Sequence, residues 1–239
     1  MKTVSRAALA ALTMTAVLLA GCGSDDSGDK APADTATAAN GVADLEAAAI
    51  LDRAKAALKG AKSFHVKGVM SDEGSVTNLD LKVAGTDVAG SIEFGGAKLE
   101  MLSVGGHRYM RPNDKFWTMM DSSGQMAKTM ASQSGKWIKP ADNDTSLGAF
   151  FGAADIDELL KPEGTVTKGE AKTVDGAPAI GLVDSGDAKS VLYVATTGEP
   201  YPIKMERPAP EGLAFSEFGA TFADIKEPAA TDVIEMPKQ

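Results

Sequence analysis

Few side chains in this chain of 239 residues are of the types that carry out chemistry: the sequence holds one cysteine, Cys22, and two histidines, His65 and His107. An enzyme needs a nucleophile with a base, a metal cluster or a phosphate-binding loop. The chain has no Walker-type loop, no paired cysteines, no His-Glu-x-x-His motif and no Gly-x-Ser-x-Gly elbow. Because both histidines lie on strand-like stretches beside Lys67 and Arg108, we interpret them as surface or hydrogen-bonded side chains. The sequence therefore predicts a protein that is not an enzyme, with no metal ligand and no cofactor.

The charge of the chain excludes one large class of partner. Lysines and arginines number 24 against 33 aspartates and glutamates, which gives a net charge of −9, and no run of basic residues occurs. Nucleic-acid binders need a basic surface that neutralises phosphates. The sequence therefore predicts no nucleic-acid partner. The single cysteine also excludes a fold held together by disulfides.

The N-terminal segment has the composition of a targeting signal. Lys2 and Arg6 precede the apolar run 7–20, which is shorter than the ~20 residues that a membrane-spanning helix needs, and Leu19-Ala-Gly-Cys22 follows. The segment resembles a bacterial lipoprotein signal with its lipobox. The resemblance implies that residues 1–21 are removed as a signal peptide and that Cys22, thioether-linked to diacylglycerol, becomes the N-terminus. The alternative is a plain secretory signal that happens to contain a cysteine.

A polar segment follows Cys22. Residues 23–41 are rich in Gly, Ser, Asp, Ala and Thr and lack apolar periodicity, so they cannot bury enough surface to order themselves. We therefore predict a lipidated, disordered linker over residues 22–43. For roughly 20 flexible residues the root-mean-square reach is on the order of 25 Å and the extended limit is about 70 Å. The domain that follows, residues 44–239, can thus contact the membrane to which it is anchored.

The folded part is predicted to begin with a helix and to continue as a sheet. Apolar residues at a spacing near four predict a helix over 44–59 that is capped by Gly60. From residue 63 the apolar period changes to two, and Gly95-Gly96 has the composition of a tight hairpin turn. Residues 63–120 are therefore expected to form an antiparallel meander with one apolar face.

The middle of the chain is expected to cover this apolar face. A helical pattern runs from Asp121 or Ser122 to about Gln133, and a second covers 155–160. Strand patterns then resume and are separated by Gly, Pro, Asn and Asp clusters; they cover 165–167, 179–183, 190–194, 202–205 and 213–218. The fold class that follows is α+β, with a curved antiparallel sheet under helices.

The order of these motifs resembles that of the LppX/LprG family of actinobacterial lipoproteins, over most of residues 45–236. The resemblance implies the fold of LolA/LolB-type carriers, a half-open antiparallel β-barrel whose mouth is covered by helices and which encloses a lipid-binding cavity. It transfers no catalytic residue. The stretches that carry it, after the lipobox and the linker, are Ser63-Phe-His-Val-Lys-Gly68, Gly106-His-Arg-Tyr-Met-Arg111, Trp117, Thr173-Val-Asp-Gly-Ala-Pro178, Leu192-Tyr-Val-Ala-Thr-Thr-Gly198, Pro200-Tyr-Pro-Ile203 and Phe215-Ser-Glu-Phe218.

Apolar residues of the meander and of the helices expected to cover it are the candidates for lining such a cavity. An empty apolar void costs about 24 cal/mol per Å³, so a large one must hold lipid, hold water or collapse. Burial of these residues is expected in any case, because an apolar sheet face must be covered. The methionines are flexible and suit either a lid over a cavity or an ordinary core. The candidates are Phe64, Val66, Leu81, Ile92, Phe94, Leu99, Met101, Tyr109, Trp117, Met126 and Met130.

Two functions are therefore open at this point. The first is that of a lipoprotein anchored by lipid at the extracytoplasmic face of the cell membrane. It binds lipids or glycolipids, lipoglycans included, in a hydrophobic cavity. Transport of the bound lipid would be a further step of the same function. The second is a non-enzymatic interaction or sensor module of the envelope, with a solid core and a protein partner. The volume between the sheet and residues 121–160 separates the two.

Overall fold

The structure is a computed structural model, and it describes residues 38–72, 75–140, 151–152 and 154–235. The predicted signal peptide, the lipidation site Cys22 and residues 22–37 of the predicted linker lie outside the described residues. Ordered contacts begin before the predicted domain start at residue 44. Ala39 forms an isolated bridge with Thr197, and the Asn40 side chain donates hydrogen bonds to the backbone carbonyls of Ala195 and Gly198.

Four α-helices and twelve strands have both of their ends within the described residues. The helices are α1 (Ala47–Ala61), α2 (Asp114–Met120), α3 (Gln125–Ala131) and α4 (Ile156–Leu159). The strands are β1 (Ser63–Asp72), β2 (Ser75–Ala84), β3 (Asp87–Phe94), β4 (Ala97–Val104), β5 (His107–Pro112), β6 (Trp137–Lys139), β7 (Val166–Val174), β8 (Ala177–Asp184), β9 (Val191–Ala195), β10 (Pro202–Glu206), β11 (Gly212–Ser216) and β12 (Val233–Glu235).

All twelve described strands belong to one curved, unclosed sheet. Their order is β12-β6-β5-β4-β3-β2-β1-β11-β10-β9-β8-β7, so the N-terminal meander and the C-terminal strands meet where β1 pairs with β11. Every pairing in this order is antiparallel except that of β6 with β12. The predicted fold class, a half-open antiparallel sheet covered by helices, is confirmed.

The strands follow the alternation of the sequence. In β2, Leu79, Leu81 and Val83 are buried, and the residues between them face the other side of the sheet. Opposed pairs such as Leu79 and Ile92 then stack on one face, which is the unit of sheet stability. At the predicted turn, Gly95 and Gly96 both have positive φ, at 55° and 79°, which matches a type I′ hairpin and favours glycine.

The main core lies on the concave face of this sheet. Helix α1 buries Ile50, Ala54 and Leu58 against it, as the sequence pattern predicted. The helix ends later than predicted, because the left-handed C-cap is Lys62 at φ 66° and Gly60 is still helical. The cap lets Ser63 begin β1 directly.

Smaller apolar clusters lie on the convex face of the sheet. One consists of Ala89, Leu102 and Tyr109, covered by residues that include Ile225 and Val233. The other consists of Val174, Ala179 and Tyr193. The convex face is therefore partly covered, by the C-terminal segment.

The helices that cover the sheet differ from their prediction. The helix predicted from Asp121 or Ser122 to about Gln133 is present as α3, which begins at Gln125 because Asp121 accepts hydrogen bonds from the backbone N–H groups of Ser123 and Met126 and Gly124 takes a left-handed conformation. These backbone hydrogen bonds and that of the Ser123 hydroxyl lower the pKa of Asp121, with the hydroxyl the largest cause. Residues 114–120, where the meander was predicted to continue, form α2 instead, and its N-cap Asn113 accepts a hydrogen bond from the backbone N–H of Phe116. Strands β6 and β12 were not predicted. Each has three residues, too few for a periodic pattern.

Candidate functional site

A half-enclosed groove lies under α1 and α4, against strands β7 to β11. It encloses about 210 Å³. Its floor and walls are apolar, and its rim carries charged side chains from α4 and from the loops after β8 and β10. The apolar lining includes Leu51, Met70, Leu159, Leu160, Val166, Leu182, Leu192, Met205 and Leu213; the charged residues are Glu158, Lys161, Glu163, Asp184, Asp187 and Arg207.

Helix α4 is short, and local polar contacts hold it in place. Its N-cap Asp155 accepts a hydrogen bond from the backbone N–H of Asp157 at 2.8 Å. The Lys59 ammonium of α1 lies 2.7 Å from the Asp157 carboxylate and lowers the pKa of that carboxyl by donating a hydrogen bond to it. The ion pair therefore links helix α1 to helix α4, the two helices that cover the groove.

Arg207 is the polar group with an unused donor in this groove. Its Nη2 lies 2.5 Å from Oδ2 of Asp187, and its Nη1 lies 3.8 Å from Oε2 of Glu211. The other carboxylate oxygen of Glu211, Oε1, accepts a hydrogen bond from the Ser71 hydroxyl. The Nε atom is buried and has no hydrogen-bond partner within the described part of the chain. A buried N–H without an acceptor is costly, so the position of this side chain carries a free-energy penalty within the described part of the chain.

The rim of the groove is acidic. Four of its charged residues are carboxylates and two are basic, which gives a local charge of −2. The carboxylate of Asp184 accepts hydrogen bonds from the backbone N–H groups of Gly186 and Glu163, and these bonds, with that of Gly186 the largest cause, lower the pKa of Asp184. Asp184 therefore remains ionised at neutral pH. An anionic headgroup would be repelled here, whereas a neutral group with a carbonyl or hydroxyl oxygen would not.

The residues predicted to line a cavity lie elsewhere. Six of them are 6% exposed or less and pack against one another in the main core: Phe64, Val66, Leu81, Ile92, Leu99 and Met101. Phe94, Trp117 and Met130 are half-buried against the same core, and Phe116 bridges the first two by edge-to-face ring contacts. None of these nine lines the groove.

Tyr109 and Met126 do not belong to that core. Tyr109 lies on the convex face, because Met110 takes the concave position of β5 opposite Met101. Met126 is exposed on α3. The sequence pattern assigned these residues to strands correctly. It did not show which face of a strand would point to the concave side, or in which half of the sheet the helices would leave a groove.

The groove residues were missed for the same reason. Leu182, Leu192 and Leu213 lie on strands that were predicted, and their alternation was visible in the sequence. What the sequence did not indicate is that their cover consists of Leu51, from a helix more than 100 residues earlier, and of the four-residue helix α4.

Of the two histidines, His107 is the half-buried first residue of β5, and His65 takes part in side-chain ion pairs. His65 lies between two carboxylates, with its Nε2 2.7 Å from Asp80 and its Nδ1 2.8 Å from Glu217. Burial raises the pKa of Asp80, but hydrogen bonds from Lys67 and His65 outweigh it and the net direction is downward. Within the described residues no group of three or more potential metal ligands occurs. None of the described helices has the length and hydropathy needed to cross a bilayer.

The chain is similar in structure to several known proteins. No protein-family model and no curated protein matches it. It is similar to LprF from Mycobacterium bovis, with 13% identity and a TM-score of 0.44, over 77% of this chain and 97% of LprF. It is also similar to the lipoprotein LppX from Mycobacterium tuberculosis, with 14% identity and a TM-score of 0.44, over 73% of this chain and 95% of LppX. A conserved protein from Thermus thermophilus has 13% identity and a TM-score of 0.38, over 80% of this chain and 99% of its own. LppX, a lipoprotein, is a member of the family that the sequence motifs resemble.

Proposed function

We propose that this protein is a lipid-anchored lipoprotein of the cell envelope that binds one acyl chain of a lipid in the groove under α1 and α4. The observation that carries the proposal is the groove itself. It has an apolar floor, an open side and the partly exposed guanidinium of Arg207 at its rim. These are the features of a site that holds an apolar chain and fixes a polar end.

The size of the groove limits what it holds. At about 30 Å³ for a group the size of a water molecule, 210 Å³ accommodates on the order of seven such groups. A dry, empty space of this volume would cost roughly 5 kcal/mol at about 24 cal/mol per Å³. The groove is therefore filled by water or by ligand, and in this conformation it receives part of a single acyl chain rather than a whole multi-chain lipid.

The rim favours a neutral headgroup. Its net negative charge opposes phosphate or carboxylate, and the Arg207 guanidinium, which lines the groove and is 27% exposed, can donate to an ester carbonyl or a hydroxyl. An acyl chain gains little by moving from a bilayer to an apolar groove, because both surroundings are apolar. The polar contact at the rim is thus what selects the ligand, and it points to a neutral lipid or glycolipid.

The predicted anchor places this groove beside its source of ligand. A diacylated Cys22 would hold the mature chain stably at the membrane, since two or more acyl chains are needed for stable anchoring. The proposed location is the extracytoplasmic face of the cell membrane. Transfer of lipid between membranes would follow if the bound chain can leave the groove on the far side.

Native mass spectrometry of the protein purified from membranes tests lipid binding. The wild type is expected to retain an acyl species, and Val166→Trp, which fills the groove from the edge strand, is expected to lose it. Val76→Trp is the matched control, because Val76 is an exposed strand valine that does not line the groove. Lipid absent from the wild type, or retained by Val166→Trp as in the control, would contradict the proposal.

The second candidate function, an interaction module with a protein partner, is favoured by one observation. The part of the concave face under α2 is filled by side chains that are almost fully buried. Affinity purification distinguishes the two candidates. Recovery of one protein in stoichiometric amount, with no extractable lipid, would favour the interaction module.

A further inference from the structure

A second pocket lies on the convex face of the sheet, opposite the main core, and we call it the polar pocket. It encloses about 300 Å³ and is open to solvent. Its floor is formed by β3, where Ala89 and Ser91 are small, and longer side chains of the neighbouring strands surround them. The polar pocket and the apolar groove share no residue. The charged residues that line the polar pocket are Asp80, Lys82, Lys98, Glu100, Arg111 and Asp224.

The strand register aligns four polar residues across this pocket. Asp80 of β2 lies opposite Ser91 of β3, Ser91 lies opposite Glu100 of β4, and Glu100 lies opposite Arg111 of β5. Opposed residues of an antiparallel sheet have Cβ atoms about 5 Å apart, so the row offers hydrogen-bond donors and acceptors at that interval. The Ser91 hydroxyl, in the middle of the row, has no hydrogen-bond partner among the described residues.

The walls of the polar pocket are fixed by packing. Ile225 of the C-terminal segment and Trp137 of β6 both pack against the convex cluster that contains Leu102. Asp224, beside Ile225, accepts a hydrogen bond from the Lys82 ammonium at 2.8 Å. The pocket is therefore bounded by ordered elements on both sides, and its shape is a property of the fold.

The charges of the polar pocket compensate one another. Arg111 Nε lies 2.5 Å from Glu100 Oε2, and Lys98 Nζ lies 3.4 Å from Glu100 Oε1. The hydrogen bond from Lys82 lowers the pKa of Asp224, so this pair is ionised at neutral pH. Three carboxylates and three cations give a net charge of zero, against −2 at the rim of the groove. An ionic ligand would have to displace one of these pairs, whereas a neutral ligand can use the lone pairs and N–H groups that remain.

Trp137 adds an aromatic wall to the polar pocket. Its ring is half-buried, and the Arg111 guanidinium lies 4.5 Å from the ring centroid. The indole N–H has no acceptor within the described part of the chain. Tryptophan therefore supplies apolar contact area together with one hydrogen-bond donor, next to the compensated charges.

We infer that the polar pocket binds a neutral saccharide. Each hydroxyl of a sugar ring both donates and accepts, so it can bridge a carboxylate such as Glu100 and a cation such as Arg111, and Ser91 can play either part. The C–H groups of the ring would contact Trp137. At about 30 Å³ for a group the size of a water molecule, 300 Å³ holds on the order of ten such groups, which suits one sugar ring with its hydroxyls.

The two tryptophans of the chain provide the test. Trp137 lines the polar pocket, whereas Trp117 packs against the main core and serves as an internal control. We expect the indole N–H signal of Trp137, assigned with Trp137→Phe, to shift saturably in nuclear magnetic resonance spectra of the mature chain carrying Cys22→Ser. The probes are the methyl glycosides of glucose, galactose, mannose and N-acetylglucosamine at millimolar concentration. The signal of Trp117 should not move. No saturable shift with any of the four would overturn the inference.

Ions provide the control for ligand class. Sodium phosphate and tetramethylammonium chloride at the same concentration should leave the Trp137 signal in place, because the pocket charges are already paired. A saturable shift with either ion that equals the shift with sugar would identify an ion site and would overturn the saccharide.

Two variants locate the binding in the polar pocket. Ser91→Leu fills the floor and should weaken binding by about tenfold or more, whereas Asn78→Leu, at an exposed position on the same face outside the pocket, should not. Glu100→Gln keeps the shape and removes a charged acceptor. It should weaken binding about fivefold, because hydrogen bonds to charged groups are about twice as strong as neutral ones. Glu93→Gln, at an exposed position of β3, is its control. Folded Ser91→Leu and Glu100→Gln variants that bind as their controls do would contradict the inference.

The saccharide has two possible sources, a free or polymeric glycan and the headgroup of a glycolipid. The methyl and octyl glycosides of the sugar that binds separate them, in the Val166→Trp background where the groove is filled. Equal affinities would assign the polar pocket to a glycan without lipid. Tighter binding of the octyl glycoside would assign it to a glycolipid headgroup, and both results support a saccharide site.

The inference does not depend on the proposed function, because the two sites share no residue. Ser91→Leu should still purify with an acyl species, and Val166→Trp should keep the response of Trp137 to sugar. A wild type that responds to sugar but carries no acyl species would remove the proposed function alone. A wild type that carries an acyl species but does not respond to sugar would remove the saccharide site alone.

Discussion

The two halves of the concave face are built from the same alternating strands but are closed differently. On β1 to β4, large side chains such as Phe64, Leu81 and Leu99 meet one another and the underside of α2, where Phe116 and Trp117 fill the remaining space. On β7 to β11, the cover is α1 and the four-residue α4, and a groove remains between cover and sheet.

The edge strand explains much of this difference. In β7 only Val174 is buried, and most of the strand is exposed and polar, so it supplies no continuous wall on its side. On the other side of the sheet, inside the edge strand β12, Met110 of β5 and Ile138 of β6 close the core. An amphipathic sheet therefore encloses a solid core or a groove depending on the length of its cover and the polarity of its edge.

The largest expected contrast is between Leu81→Ala and Leu192→Ala, one truncation in each half. Leu81 lies in the filled half, and Leu81→Ala should lower the free energy of unfolding by about 3–5 kcal/mol, because the surrounding side chains cannot move into the cavity that it leaves. Leu192 borders the groove, and Leu192→Ala should lower the free energy of unfolding by about 1–3 kcal/mol, because the space that it leaves joins a groove that solvent already reaches. Urea unfolding measures both. Equal losses would mean that the two halves are packed alike.

A smaller effect is expected from Arg207→Leu. The side chains of Arg207 and Asp187 are each 27% exposed, so removal of the guanidinium leaves two partly buried carboxylates without it and should cost roughly 1–3 kcal/mol. Arg207→Lys keeps a cation near Asp187 and should recover most of that stability. Because lysine lacks the guanidinium N–H groups, the lysine variant should nevertheless retain less bound lipid. Normal lipid retention in Arg207→Lys would remove this residue from the proposed headgroup contact.

The smallest effect is expected from the ion pair between Lys59 and Asp157. The pKa of Asp157 is lowered from an ordinary value of 3.8, so the ion pair stabilises the folded state fully above the unfolded pKa, and this contribution is lost as the pH falls through the folded pKa. Asp157→Asn should therefore lower the melting temperature slightly at neutral pH and have no effect well below about pH 4, where both proteins are neutral at this position. Thermal scans at both pH values check this. A difference that persists in acid would indicate that the aspartate acts through something other than its charge.

Much of the fold was predictable from local patterns. The alternation in β2 to β5, the glycine pairs between them and the apolar stripe of α1 are each encoded within a few residues, and all were confirmed. Strands of three residues, such as β6, carry no periodic signal, and the start of α3 at Gln125 depends on one side chain, Asp121, that also suits a helix start.

The general character of the candidate site was predictable, but the residues that line it were not. An apolar sheet under helices was expected from the sequence, yet the residues chosen to line a cavity belong to the filled half or, in the case of Tyr109 and Met126, to other surfaces. The residues that do line the groove, such as Leu182 and Leu192, have the same alternating pattern as those that do not. Nothing local distinguishes the two sets.

The sequence by itself determined the periodicity of each element, the turns, the acidic charge and the resemblance of the N-terminus to a lipoprotein signal, because each of these is a property of neighbouring residues. Only the tertiary structure decided where the core is solid and where it is open. That outcome depends on the volume left between elements far apart in the chain, here Leu51, Leu160 and Leu192, and a volume of this kind exists only after those elements have packed.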